Sequence, residues 1–183
     1  YALGDYEDTK VMYGSAKALD YVERCTRIYE NIGDQFYLAW VLHLRSYSFW
    51  LEQPDETIKL HLQALELRQR IGDTFGASTS LDNLCDITWI HGRIQEAENY
   101  LAQAITATQI ANLISIWHTN YAAILPMMRG DFVRANHLAH ESLKSAEKAN
   151  YIVIAYLSLS IIGLVAVLRE DYTTGQSVCE RCL

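Results

Sequence analysis

One short signature recurs along this chain at nearly constant spacing, and it constrains the fold more than any other feature. It reads Ile32-Gly33-Asp34, Ile71-Gly72-Asp73, Ile110-Ala111-Asn112 and Lys148-Ala149-Asn150, in steps of 39, 39 and 38 residues. Glycine suits the left-handed turn that closes a helix, and Asp or Asn suits the cap of the next one. A second punctuation falls midway, at Gly14, Gln53-Pro54, Gly92, Gly130 and Glu170-Asp171. Pro54 fits the first turn of a helix. Each period therefore holds two helices joined by short turns.

The spacing predicts helices near 15–32, 35–51, 54–71, 74–91, 93–110, 113–129, 131–148, 151–169 and 171–183, with residues 1–13 as the remnant of an earlier one. Apolar residues inside these spans follow helical spacing, as in Ile58, Leu62 and Leu65, or Ala97, Leu101, Ala104 and Ile105. No sustained period-two alternation argues for strands. One amphipathic pair cannot bury its own apolar stripe, whereas stacked pairs build a continuous core. The expectation is all-α: a right-handed α-solenoid of antiparallel helix pairs, a single array over 1–183 with pairs at about 1–33, 34–72, 73–111, 112–149 and 150–183. The chain lacks an initiator Met and stops inside a helical pattern, so it reads as a piece of a longer protein.

Small residues recur at 12-then-7 spacing: Cys85, Ala97 and Ala104; Ala123, Ala135 and Ser142; Gly163, Gly175 and Cys182. With Leu81-x2-Leu84-Cys85 before the first set, this pattern resembles the tetratricopeptide repeat, whose small positions mark close helix contacts. The period near 39 exceeds the family's 34, Thr88 or Pro126 stands where an aromatic is usual, Ile58 replaces the first helix-two alanine of the second pair, and the terminal proline is missing. The long helices are similar to variant repeats in sensor arms of bacterial regulators of the maltose-regulon activator type, in signal-transduction ATPases, and in peptide-pheromone receptors.

That resemblance implies a binding scaffold whose first helices line a concave groove. Carried over by register, the inward positions are Trp40, His43, Tyr47 and Trp50 in the second pair, Thr79, Asp82, Asp86 and Trp89 in the third, and Trp117, Asn120, Ile124 and Met127 in the fourth. The implied surface is aromatic, amide-bearing and acidic, suited to an extended protein or peptide segment with a basic residue. Trp40, Trp117, Asp82, Asp86 and Asn120 are expected on one continuous face. The alternative reading is a ligand-sensing regulatory arm of a larger bacterial transcription regulator or signal-transduction ATPase.

The remaining residues limit what else the chain does. The net charge is −7, with no Lys/Arg-rich run, so direct nucleic-acid binding is not expected. No P-loop, G-x-S-x-G, H-E-x-x-H or G-x-G-x-x-G is present, and the expectation is a non-catalytic chain without cofactor or metal. His137, His140 and Glu141 share a helix face and read as solvated. The four cysteines, Cys25, Cys85, Cys179 and Cys182, read as reduced thiols of a cytoplasmic protein, with the C-x-x-C of Cys179 and Cys182 facing a core. Tyr151–Leu168 holds 18 residues without a charge, the lower limit for a membrane span, and reads as a helix buried on most sides. Pro126 is expected to bend its helix. The last helix offers Val178, Cys179, Cys182 and Leu183 to a neighbour, which predicts self-association through an exposed end.

Overall fold

The computed structural model describes residues 16–50, 52–110 and 117–181; side chains are described from Leu19 onward, except those of Ile110 and Trp117. Among the described residues the secondary structure is helical, without strands. The α-helices are α1 (Ala16–Ile32), α2 (Gln35–Ser46), α3 (Pro54–Arg70), α4 (Thr74–Ile90), α5 (Ile94–Ile110), α6 (Trp117–Met128), α7 (Phe132–Lys148), α8 (Ile152–Leu168) and α9 (Tyr172–Arg181), with a short 3-10 turn at Tyr47–Phe49. The expected helices are present, and the ends differ by a few residues. Residues 1–13 and 113–116 fall outside the described set. The chain divides into two compact units, Tyr1–Asn112 and Leu113–Leu183.

The turns repeat one geometry. Helices close with a backbone N–H donating five residues back: Asp73 to Arg68, Arg93 to Thr88, Asp131 to Pro126, Tyr151 to Ala146 and Asp171 to Ala166, all at 2.8–2.9 Å. The residue before each donor takes a left-handed φ, between 53° at Asn150 and 80° at Gly130. These are Schellman closures, in which the final carbonyls find donors without extending the helix. Asp34, Asp73, Asp131 and Asp171 then cap the following helix by accepting from the N–H three residues on. Asn150 departs from its expected capping role. It occupies the left-handed slot held elsewhere by glycine, and Tyr151 follows in the cap position with no side-chain bond. Asparagine tolerates that conformation because its amide compensates locally.

Each unit packs its helices in chain order. In the first, Ala39 and Leu42 of α2 meet Leu60 and Ala64 of α3, and Leu65 meets Ala77, Leu81, Leu84 and Ala104 across α4 and α5. In the second, Ala123, Ala135, Ala139 and Leu143 pack with Leu159, Ile162, Val165 and Val178. The small positions are where helices touch: Cys85, Ala97, Ala104, Ala123, Ala135 and Ser142 are fully buried. A Cβ at Gly175 would lie 3.0 Å from Val167 Cγ2, and one at Gly163 would lie 3.4 Å from Val178 Cγ1. Cys182, the last of these positions, is outside the described residues.

Ala97→Leu and Ala135→Leu are therefore each expected to lower stability by about 1–3 kcal/mol through overpacking. Thermal melts that match the parent for both would show that the contact register is misassigned.

Three expectations are corrected. Val178 is not offered outward at the chain end; it is buried against Gly163 in its own helix pair. Cys179 is exposed rather than a core thiol. α8 is not buried on most sides, since Ile154, Ser158, Ile161, Ile162 and Val165 face inward while its other side is open. No described helix is long and apolar enough to cross a membrane.

Candidate binding face

The first unit gathers the second- and third-pair candidates around a buried polar and aromatic cluster. Tyr47, in the 3-10 turn that ends α2, links them. Its ring stacks on Trp50 at 5.4 Å and meets His43 edge-on at 5.1 Å. Its hydroxyl donates to Asn83 Oδ1 of α4 at 3.3 Å, one residue from Asp82. Trp40 lies edge-on to His43 at 5.4 Å, with the Arg68 guanidinium 5.0 Å from its ring centre. His61 of α3 completes the cluster, 5.4 Å from His43 and 6.0 Å from Trp50.

The hydrogen bonds fix both histidines as neutral rings. Ser46 Oγ donates to the His43 carbonyl at 2.6 Å, so His61 Nε2–H donates to Ser46 Oγ at 2.8 Å. The Tyr47 proton goes to Asn83, so His43 Nε2–H donates to the Tyr47 oxygen at 3.3 Å. The Nδ1 atom of each ring has no partner, and a second proton there would have no acceptor. Burial, with Arg68 adding a like charge, lowers His43 to about 4. Burial, then His43 and Arg68, lower His61 to about 3.

Arg68 has no exposed surface. One Nη donates to the Gly76 carbonyl at 2.9 Å and to Ser80 Oγ at 2.7 Å, while Nε and the other Nη have no partner. Gly76 carries no Cβ for a specific reason: one would stand 2.0 Å from the Asp73 cap and 2.8 Å from Arg68 Nε. Burial lowers the Arg68 pKa, and the Asp73 carboxylate opposes that shift.

On α4 the candidates form one half-buried stripe at spacings of three and four residues: Thr79, Asp82, Asp86 and Trp89. Asn83 joins it, donating its amide to the Thr79 carbonyl at 2.7 Å. Trp89 Nε1 donates to Asp86 Oδ1 at 2.7 Å. Burial raises Asp86 to about 6; the Trp89 bond opposes the rise and Asp82 adds to it. Burial, with Asp86 as the next cause, also raises Tyr47, so the α2 and α4 candidates share one electrostatic neighbourhood. The result is an anionic edge on an aromatic floor, poised for a cation.

The fourth-pair candidates lie in the second unit. Trp117 opens α6, but its side chain is outside the described set. Asn120 does not line a free surface: it is 2% exposed, with Oδ1 accepting from Ser142 at 3.2 Å and Ser158 at 3.0 Å. It joins α6 to α7 and α8, and Met127 is likewise buried. His43 is buried too, and supports Tyr47 and Trp40 from behind. On α7, His137 lies 3.6 Å from Glu141, and His140 donates to the Asn136 carbonyl. No group of side chains among the described residues is arranged to hold a metal.

Sequence reasoning missed His61, Arg68 and Asn83. The first two carried a signal. They share the buried stripe of α3 with Thr57, Leu60, Ala64 and Leu65, at positions that the helical period assigns to the core.

Residues 45–109 match the tetratricopeptide repeat family model. No curated protein sequence matches the chain. Solved structures match almost all of it. A point variant of a Podosopora anserina putative kinesin light chain, described by its nearly identical TPR-like repeats, aligns over 99% of this chain and 89% of its own, with TM-score 0.69 and 15% identity. The form without that substitution gives 0.67 at 14% identity over the same shares of the two chains. BtubC (BKLC) of P. vanneervenii aligns over 98% of this chain and 82% of its own, with TM-score 0.63 and 14% identity. The helix pairs are thus tetratricopeptide-like repeats, and the fold is of the α-solenoid class.

Proposed function

We propose that the chain is a non-catalytic scaffold that binds an extended protein or peptide segment, and that Asp82, Asp86 and Trp89 of α4, with Tyr47, Trp50 and Trp40 beside them, take a basic residue of that segment. The observation that carries this reading is Asp86, a half-buried carboxylate held next to a second one, with no cation in its hydrogen-bond set. A guanidinium or ammonium seated there relieves the repulsion, and the aromatic rings supply contact area at low rotamer cost. Thr79 and Asn83 flank the stripe and offer polar partners for a peptide backbone.

Calorimetric titration with a peptide carrying adjacent arginines tests the assignment. Asp82→Asn with Asp86→Asn is expected to weaken binding about tenfold or more, as for loss of a charge-assisted contact. The same change is expected to leave stability unchanged or higher, because a neutral amide avoids the buried charge. Affinity in the parent should rise between pH 5 and pH 7 as Asp86 ionises. Equal affinity of parent and variant, or a pH-independent constant, would remove the site.

A further inference from the structure

We propose that the open face of α8 is a self-association surface, and that it receives α8 of a second copy of this chain, antiparallel, about a two-fold axis at Ser160. α8 carries no charged residue. Its inward side packs against the other helices of the second unit, while Ile152, Val153, Tyr156, Leu164, Val167 and Leu168 are between 45% and 67% exposed. At about 100° per residue these positions span an arc of about 160° along the whole helix. Contiguous apolar surface on this scale marks an interaction site.

The occupant follows from the order of the residues. The exposed positions are symmetric about Ser160: Ile152 mirrors Leu168, Val153 mirrors Val167, and Tyr156 mirrors Leu164. An antiparallel crossing at Ser160 sets each of these against its mirror residue in the partner, which is the self-complementarity a two-fold interface requires. The residue at the axis is small, so the helices can approach closely. Its hydroxyl already donates to the Tyr156 carbonyl at 2.9 Å, so no unpaired donor is buried there. The ends agree as well. Lys148 precedes α8, and Arg169, Glu170 and Asp171 follow it, so the antiparallel arrangement sets a basic end beside a net acidic one. Covering this face removes on the order of 600 Å² per copy, about 1,200 Å² in all, at the lower limit for a stable interface. The dimer is accordingly a reversible one of micromolar affinity.

Sedimentation velocity of the 183-residue chain over a concentration series reads this directly. The expected result is a monomer–dimer equilibrium. Leu164→Glu is expected to weaken it about tenfold or more, because a carboxylate would be buried without a partner, while the far-ultraviolet circular dichroism stays that of the parent. Position matters as well as affinity. With Cys25, Cys179 and Cys182 replaced by serine, Ser160→Cys is expected to give a disulfide-linked dimer on mild oxidation, and Ser177→Cys on α9 is not. A chain that stays monomeric at high micromolar concentration overturns the proposal, even if it captures a foreign amphipathic helix. So does a dimer that survives Leu164→Glu or fails to cross-link through Ser160→Cys.

Discussion

Arg68→Ala is expected to destabilise the first unit by about 3–5 kcal/mol, with Arg68→Met within about 1 kcal/mol of the parent or more stable. The contrast separates two opposed effects. Alanine leaves a void where the stem and guanidinium were, and strips the Gly76 carbonyl and Ser80 hydroxyl of their donor. Those losses add to the cavity term, and an unmet buried acceptor costs about 1–3 kcal/mol. Methionine fills much of the space and removes a cation whose Nε and second Nη lack hydrogen-bond partners. Taking that charge out of the interior recovers desolvation free energy that the Asp73 field and the Trp40 ring offset only in part. Urea unfolding of both variants measures it. Two equal and large losses would mean that the charge itself holds the helices together.

Acidification is expected to weaken the same cluster, beginning below pH 6.5. The folded-state pKa values of His43 and His61 are depressed to about 4 and about 3, against an ordinary value of 6.5. The unfolded chain therefore binds more protons than the folded one in this window. Stability from these rings is intact above pH 6.5 and is lost as pH falls toward pH 4 and pH 3, at about 1.4 kcal/mol per pH unit for each ring. Asp86 works the other way. Its folded pKa is raised to about 6, so the folded chain holds the extra proton and gains relative stability as pH falls from 6 toward 4. Two histidines against one carboxylate leave a net loss of about 1.4 kcal/mol per unit between pH 6 and pH 4. Urea midpoints at fixed ionic strength should show Asp86→Asn steepening this loss and His43→Gln with His61→Gln flattening it. An unchanged slope in both variants would contradict the neutral, buried assignment of the two rings.

Much of this architecture is written in the periodicity. The 39-residue step places the helix pairs, because glycine in the left-handed slot and aspartate in the cap slot are local demands that the backbone makes wherever one helix ends and another begins. The step failed by one residue at Asn150, since asparagine satisfies either demand and a sequence alone does not say which. The 12-then-7 spacing marked the tight contacts because no large side chain fits there. The polar interior was harder to read. Arg68 and His61 sit on the apolar stripe of α3, but a charged residue in a helix is ordinarily solvated, so position and chemistry pointed in opposite directions. Asn120 illustrates the reverse error: an amide at a groove register turned inward because Ser142 and Ser158 offer it buried hydroxyls. The open face of α8 was invisible for another reason. An uncharged helix reads as buried all round, and only the packing shows which side has no neighbour.

The α4 stripe is the centre of the functional reading, and the most direct measurement is residue-resolved nuclear magnetic resonance of the labelled chain during titration with an arginine-bearing peptide. The account predicts that the Trp89 indole N–H, which donates to Asp86, shifts first and furthest, together with the amides of Asp82, Asn83 and Asp86. Trp40, Trp50 and Tyr47 should follow, and the resonances of α7 and α9 should stay in place. Saturable shifts confined to other helices, with the Trp89 indole unmoved at full occupancy, would contradict it.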